Sequence, residues 1–278
     1  MENIKIYAFS DEACPDLDGQ IVALKRNGLN GVEMRGVDGE NVSALSVEKA
    51  KEVRKKLDDN DLIVWSIGSP IGKINIKDDF EAHLDLFKKS LETSAILGAK
   101  CYRLFSFYMP KGEDVAPYKN EVIEKMGRMV EAAKGYDIEI CHENEKGIYG
   151  DIPERCLEIH KALPTVKGVF DPANYVQCGV DTLKGWELLN DYIYYMHIKD
   201  AMADEYVVPA GKGIGNVAAI VKDFIARGGR CFTIEPHLAV FDGLSGLERE
   251  GESTKALYTY ATNNEAFDAA CNAFKALL

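Results

Sequence analysis

IEICHENE (138–145), VKGVFDPA (166–173), YIYYMHIKD (192–200) and RCFTIEPH (230–237) are four short runs rich in β-branched and aromatic residues. Each carries, near its end, a side chain able to bind a metal or a proton. Runs of this length and texture read as strands. Outward from them the pattern repeats at IKIYAFS (4–10), GVEMRG (31–36), LIVWSIG (62–68) and KCYRLFSFY (100–108). Helical spacing fills the intervals, as in SVEKAKEVRKKLDDN (46–60) and DDFEAHLDLFKKSLETSAILG (78–98). NEAFDAACNAFKALL (264–278) reads as a closing amphipathic helix. Eight strand–helix units in 278 residues, about 35 residues each, match the repeat size of a (β/α)8 barrel. Residues 1–278 are therefore expected to form a single α/β domain, a TIM barrel with parallel strands inside and helices outside. An open doubly wound sheet is the rival, but no GxGxxG follows the first strand.

The bulk composition narrows the function. The net charge is −12, the wrong sign for coating nucleic acid or anionic membranes. MENIKIYAFS shows no basic-then-apolar leader, and no apolar run is long enough to span a bilayer. The expected setting is cytoplasmic. The seven cysteines are odd in number, widely spaced and without a CxxC, which predicts free thiols rather than disulfides or a zinc–thiolate site.

In such a barrel, chemistry sits at the C-terminal ends of the strands. Glu143, Asp171, His197 and Glu235 lie there, on four successive strands. Side chains alternate along a strand, so Cys141 shares the face of Glu143, Val169 that of Asp171 and Thr233 that of Glu235. Taken singly, each acid reads as a solvated residue or a helix cap. Taken together, three carboxylates and an imidazole at one barrel mouth repel one another unless a cation joins them. Oxygen-rich ligation with one nitrogen favours Mn²⁺ or Mg²⁺, with Co²⁺ or Zn²⁺ also compatible.

Other residues have two readings each. Glu33 and Arg35 share one face of the second strand, to bind substrate hydroxyls or to form an ion pair inside the barrel. Lys199 has the inward parity of His197; it can polarise an oxygen or assist a leaving hydroxyl, or else be a solvated rim lysine or form an ion pair with Asp200. His237 can reach substrate or pack a loop. The GKGIG loop (211–215) offers Lys212 and free amides to a phosphate. Asp11 and Glu12 are expected to cap the next helix. His142 has the opposite parity to Glu143 and should be structural, as should His83 and His160; Trp65 and Tyr149 are read as packing residues.

At HENEKG, FDPAN, HIKD, PAGKGIGN and IEPH, with Glu33 and Arg35 in GVEMRG, the sequence resembles the xylose isomerase-like superfamily of sugar-phosphate isomerases and epimerases. The likeness follows the chain in order. It implies that Glu143, Asp171, His197 and Glu235 hold one divalent metal ion, and that Glu143 and Glu235 also move protons. A C–H beside a carbonyl is too weakly acidic to ionise unaided. A cation on the carbonyl oxygen stabilises the enediolate, and carboxylates can take and return the proton. The implied activity is isomerisation or epimerisation of a small polyhydroxy substrate: a sugar, a sugar phosphate or a cyclitol. A homo-oligomer is common in the superfamily. Its free-ketohexose epimerases carry a His where Asn174 stands and an Arg where Ala203 stands; Asn174 is assigned to substrate contact in that place. HIKD is similar instead to the inosose dehydratases, whose segment also carries Lys and Asp, so a metal-dependent dehydratase is the alternative. The superfamily's abasic-site endonucleases need many histidines for three zinc ions. With five histidines in all and an acidic balance, the chain does not fit that branch.

Overall fold

Eight strands, one from each quoted run, close into a parallel barrel in the computed structural model, which describes residues 3–241 and 255–278. They are β1 (Lys5–Ala8), β2 (Gly31–Met34), β3 (Ile63–Gly68), β4 (Cys101–Leu104), β5 (Glu139–Glu143), β6 (Lys167–Phe170), β7 (Ile193–Ile198) and β8 (Cys231–Ile234). Neighbours in sequence are neighbours in the barrel, and β8 closes on β1 from Lys5–Cys231 to Ala8–Ile234. The helices lie between strands: α1 (Leu17–Arg26), α2 (Val47–Asp58), α3 (Phe80–Leu97), α4 (Lys119–Ala132), α5 (Pro153–Ala162), α6 (Pro172–Gln177), α7 (Thr182–Leu189), α8 (Val217–Ala226) and, after β8, α9 (Asn263–Lys275). Both α6 and α7 connect β6 to β7.

Alternation along the strands divides the interior in two. Ala8, Val32, Val64, Tyr102, Leu104, Ile140, Phe170, Met196, Ile198, Phe232 and Ile234 face outward into the large apolar core under the helices. Tyr7, Trp65, Cys101, Cys141, Val169 and Tyr195 face inward and form a separate apolar cluster. Tyr7 and Trp65 stack there at 5.0 Å and 3°. Further toward the C-terminal ends the inward residues are mostly polar: Glu33, Ser66, Arg103, Glu143, Asp171, His197 and Thr233, all buried, with Phe9 packed edge-on to His197. The barrel is thus plugged with apolar side chains at one level and with mainly polar and charged ones at the next.

Local sequence sets the helix starts. Asp16, Ser46, Asp79, Asp181 and Thr262 cap α1, α2, α3, α7 and α9 by accepting backbone N–H groups of the first turn. Asp16 therefore takes the capping role expected of Asp11 and Glu12. A register shift between β2 and β3 pairs Val32 with Val64 but Glu33 with Ser66, skipping Trp65. This irregularity brings the Ser66 hydroxyl to 3.3 Å from Glu33 Oε1 and 3.0 Å from Tyr195 Oη.

The strands end earlier than their sequence runs. KCYRLFSFY leaves the ladder after Leu104; Phe105 and Phe107 donate instead to Ile71 and Gly72 carbonyls in the loop after β3, and Phe107 is left-handed at φ 64°. The residues released in this way build the mouth. All seven cysteines are free thiols. Among the described residues, no helix is long and apolar enough to cross a membrane.

Candidate metal centre

Each of the four expected donors stands at a strand's C-terminal end. Glu143 is the last residue of β5 and His197 the penultimate residue of β7. Asp171 follows β6 directly and caps α6, taking the Asn174 N–H on Oδ1 at 2.8 Å. Glu235 follows β8 directly, its N–H on the Ile198 carbonyl at 3.2 Å. One ligand atom from each residue lies within 4.8 Å of every other, and all four residues are buried. Donors about 2.1 Å from one ion are separated by at most about 4.2 Å, so small side-chain movements complete a shell.

The electrostatics describe a site made for positive charge. His197 Nδ1 faces Glu143 Oε1 at 2.8 Å, Glu235 Oε2 at 3.5 Å and Asp171 Oδ2 at 4.0 Å. Its other nitrogen, Nε2, faces Glu33 Oε2 at 3.1 Å. Burial alone would disfavour an imidazolium, but Glu143 and Glu33 overcome it and hold the His197 pKa well above its ordinary value. Asp171 is pushed up to about 7, first by burial and then by the charges of Glu235 and Glu143, against the pull of Lys199. Its Oδ2 is buried and faces the Lys199 ammonium at 3.0 Å and His197 Nδ1 at 4.0 Å. A buried carboxylate oxygen is costly unless positive charge or a donor meets its lone pairs. The donor set and its convergence fit a divalent ion.

Lys199 takes the inward of its two readings. It is buried rather than at the rim, and its carboxylate partners do not include Asp200. Lys199 Nζ lies 2.7 Å from Glu235 Oε2 and 3.0 Å from Asp171 Oδ2, so it touches two of the four donors. Burial would push Glu235 up, but Lys199, His237 and His197 outweigh it and hold that carboxyl well below its ordinary value. Asp200 faces elsewhere, accepting the N–H groups of Gly211, Gly213 and Gly215 at 2.9, 3.0 and 2.9 Å. The loop amides expected to await a phosphate are therefore taken by an internal carboxylate, and Lys212 on that loop is exposed.

Arg35 and Glu33 do not pair with each other. Glu33 lies under His197 and accepts the Tyr195 hydroxyl at 2.9 Å. Arg35 grips Asp11 with two bonds of 2.9 Å and Glu12 with one of 3.0 Å, and reaches Glu235 Oε1 at 3.7 Å. Its guanidinium is stacked on Phe9 and Phe241 at 4.5 and 4.6 Å. His237, left-handed at φ 46°, donates its backbone N–H to Glu12 and brings Nδ1 to 3.1 Å from Glu12 and 3.7 Å from Glu235. Asp11 and Glu12 are thus buried members of the mouth. Asn174 Nδ2 reaches Glu143 Oε1 at 3.4 Å and the Asn144 carbonyl at 2.9 Å, and its backbone N–H holds Asp171 Oδ1, so in this structure it braces two donors, Glu143 and Asp171.

Three contributors escaped the sequence reading. Arg103, on the inward face of β4 with Cys101, brings Nε to 3.2 Å from Glu143 and 3.8 Å from Glu33. Its parity in an otherwise apolar run was the available signal. Asn144 exchanges two 2.9 Å hydrogen bonds with the backbone of Asp171. Lys73 binds Glu145 at 2.8 Å beside the mouth. The structural histidines stand as read: His142 bonds Ser106 and packs near His160, away from the donors, and His83 accepts the Gly72 N–H. Tyr149 is buried and bonds Glu158.

The family model described as xylose isomerase-like TIM barrel matches residues 21–257. No curated protein sequence matches the chain. Solved structures do. A probable 3-DHS dehydratase, AsbF, involved in petrobactin synthesis in Bacillus anthracis, is 15% identical with a TM-score of 0.75, covering 98% of this chain and 99% of that one. The IolI protein with a bound zinc atom is 15% identical with a TM-score of 0.75 (99% and 98% covered). A D-psicose 3-epimerase determined with D-fructose is 16% identical with a TM-score of 0.72 (98% and 97% covered). At these identities the structures bear on the fold alone, whereas the family model spans most of the sequence. The chain belongs to the xylose isomerase-like TIM-barrel family.

Proposed function

We propose that this protein is a divalent-metal-dependent enzyme that moves a proton beside the carbonyl of a small polyhydroxy compound, with epimerisation or isomerisation as the outcome. The observation that carries this reading is the convergence of Glu143, Asp171, His197 and Glu235 within 4.8 Å in a buried mouth. A divalent ion there supplies an electrophile for the carbonyl oxygen and so lowers the cost of an enediolate. Mn²⁺ or Mg²⁺ suits the oxygen-rich donors; the zinc in the IolI structure keeps Zn²⁺ in view.

The chain's own residues handle the proton. Glu235 is held ionised between Lys199 on Oε2 and Arg35 and His237 on Oε1, which makes it the base. Glu143, oriented by Arg103 and Asn174, stands on the strand end three positions away in the barrel and returns a proton from another direction. Return to the same carbon from its other face gives an epimer; return to the neighbouring carbon gives the isomeric aldose or ketose.

A second reading, dehydration, is favoured by one observation. The buried Lys199 ammonium sits among the donors, where it can give a proton to a departing hydroxyl. The C–H proton then stays on the carboxylate, the hydroxyl leaves as water, and the product is an unsaturated carbonyl compound. Incubating the Mn²⁺-loaded protein in D₂O with ketoses, inososes and their phosphates tests both. Carbon-bound deuterium without new ultraviolet absorption supports the first reading; a growing enone band supports the second; neither, across the panel, overturns proton transfer.

A further inference from the structure

The cations around the donor cluster are each already matched. Arg35 is met by Asp11 and Glu12, Arg103 by Glu143 and Glu33, and Lys199 by Asp171 and Glu235. Among the described residues, Lys73, in the loop after β3, pairs with a carboxylate that is not otherwise part of this machinery. Its Nζ lies 2.8 Å from Glu145 Oε2, with the lysine side chain 11% and the glutamate 19% exposed. Glu145 lies two residues past Glu143, just beyond the end of β5. Lys73 Nζ and Arg103 Cζ both contact the Phe105 ring, at 4.6 and 4.4 Å. The Lys73–Glu145 pair therefore adjoins the Arg103–Glu143 pair through one aromatic ring. The glycine loop adds no anion site, since Asp200 holds its amides.

An anionic substrate group entering here finds cations that carboxylates have already neutralised. A phosphate or carboxylate must displace one of those partners, and a displaced Glu145 would stay close by as a like charge. We propose that Glu145 is a specificity-determining residue that restricts the site to uncharged polyhydroxy carbonyl compounds and rejects their phosphate esters and carboxylates. The inference rests on the proton-transfer reading for the kind of molecule bound, and it adds the charge that molecule carries.

Calorimetric titration of the Mn²⁺-loaded protein with free ketohexoses and inososes, and with their phosphate esters, tests it. At least one uncharged member binds, and its ester binds at least about tenfold more weakly. Glu145→Gln, which removes one negative charge without changing side-chain shape, narrows that gap by about tenfold or more, the scale of one unit charge a few ångströms away in a partly screened site. Lys73→Met widens it, and provides a second reading if Glu145→Gln does not fold. An ester that binds as tightly as its parent, an unchanged gap in both variants, or no binding by any uncharged member overturns the proposal. An uncharged ligand that binds but takes up no deuterium from solvent overturns the proton-transfer reading and leaves this one standing.

Discussion

Glu33 Oε2 lies 3.1 Å from His197 Nε2, while Nδ1 of the same ring faces the other three donors. A ligating imidazole needs a lone pair on one nitrogen and gains from a carboxylate holding the proton on the other. Glu33 is placed to keep the proton on Nε2 and turn the Nδ1 lone pair inward. Tyr195 and Ser66, brought close by the register shift in β2–β3, fix Glu33 in turn.

Glu33→Gln is therefore expected to weaken Mn²⁺ binding by about 10- to 100-fold, measured by calorimetric titration. The fold should persist, because the amide can still accept from Tyr195. An unchanged affinity would mean that Glu33 only fills space.

Lys199 competes for two of the four donors. Removing its charge with Lys199→Met should tighten dication binding, because Asp171 and Glu235 are then free to turn to the ion, and should lower turnover on any substrate found. Opposite signs in the two measurements are the signature; a loss in both would show that Lys199 acts by holding the site together.

Asn144 satisfies both the N–H and the carbonyl of Asp171. Asn144→Ala leaves the buried Asp171 N–H without its partner and the carbonyl with only the 3.4 Å bond from the Tyr175 N–H, a loss of about 1–3 kcal/mol. Denaturant unfolding should show a loss of at least about 1 kcal/mol, with weaker metal binding because Asp171 loses its fixed position.

The eight strands were legible because barrel strands alternate and are punctuated by helices of regular size. The four donors were legible because each sits at a strand end on the inward face, a placement that parity alone delivers. What was not legible depends on partners far apart in sequence. Arg35 turns to Asp11 and Glu12 rather than to Glu33, and Glu12 meets His237 across 225 residues. Lys199 carries both a rim and an interior reading in the sequence, and the Asp171 and Glu235 carboxylates, just past the ends of β6 and β8, draw it inside. The glycine loop read as a phosphate cradle, but its register places Asp200 in the cradle first.

His142, His160 and His83 set an acid limit on stability. Burial depresses all three below the ordinary value of 6.5, His142 furthest, to about 3. His83 Nε2 accepts the Gly72 N–H, a bond that a proton on that nitrogen abolishes. Because the folded pKa lies below the unfolded one, the unfolded chain takes up protons first as pH falls. Stability is then complete above about pH 6.5 and declines below it, by up to about 1.4 kcal/mol per pH unit for each histidine. Thermal unfolding between pH 8 and 5 should show this decline, and His83→Gln should make it shallower. A pH-independent midpoint in the wild type would refute the assignment.

Metal stoichiometry by elemental analysis bears most directly on the central claim that Glu143, Asp171, His197 and Glu235 together hold one divalent ion. Protein stripped with chelator, reloaded with Mn²⁺ and freed of excess metal should retain one ion per chain, and Asp171→Asn combined with His197→Gln should retain none while still folding. Metal-free wild-type protein after the same treatment, or equal retention in the double variant, would contradict it.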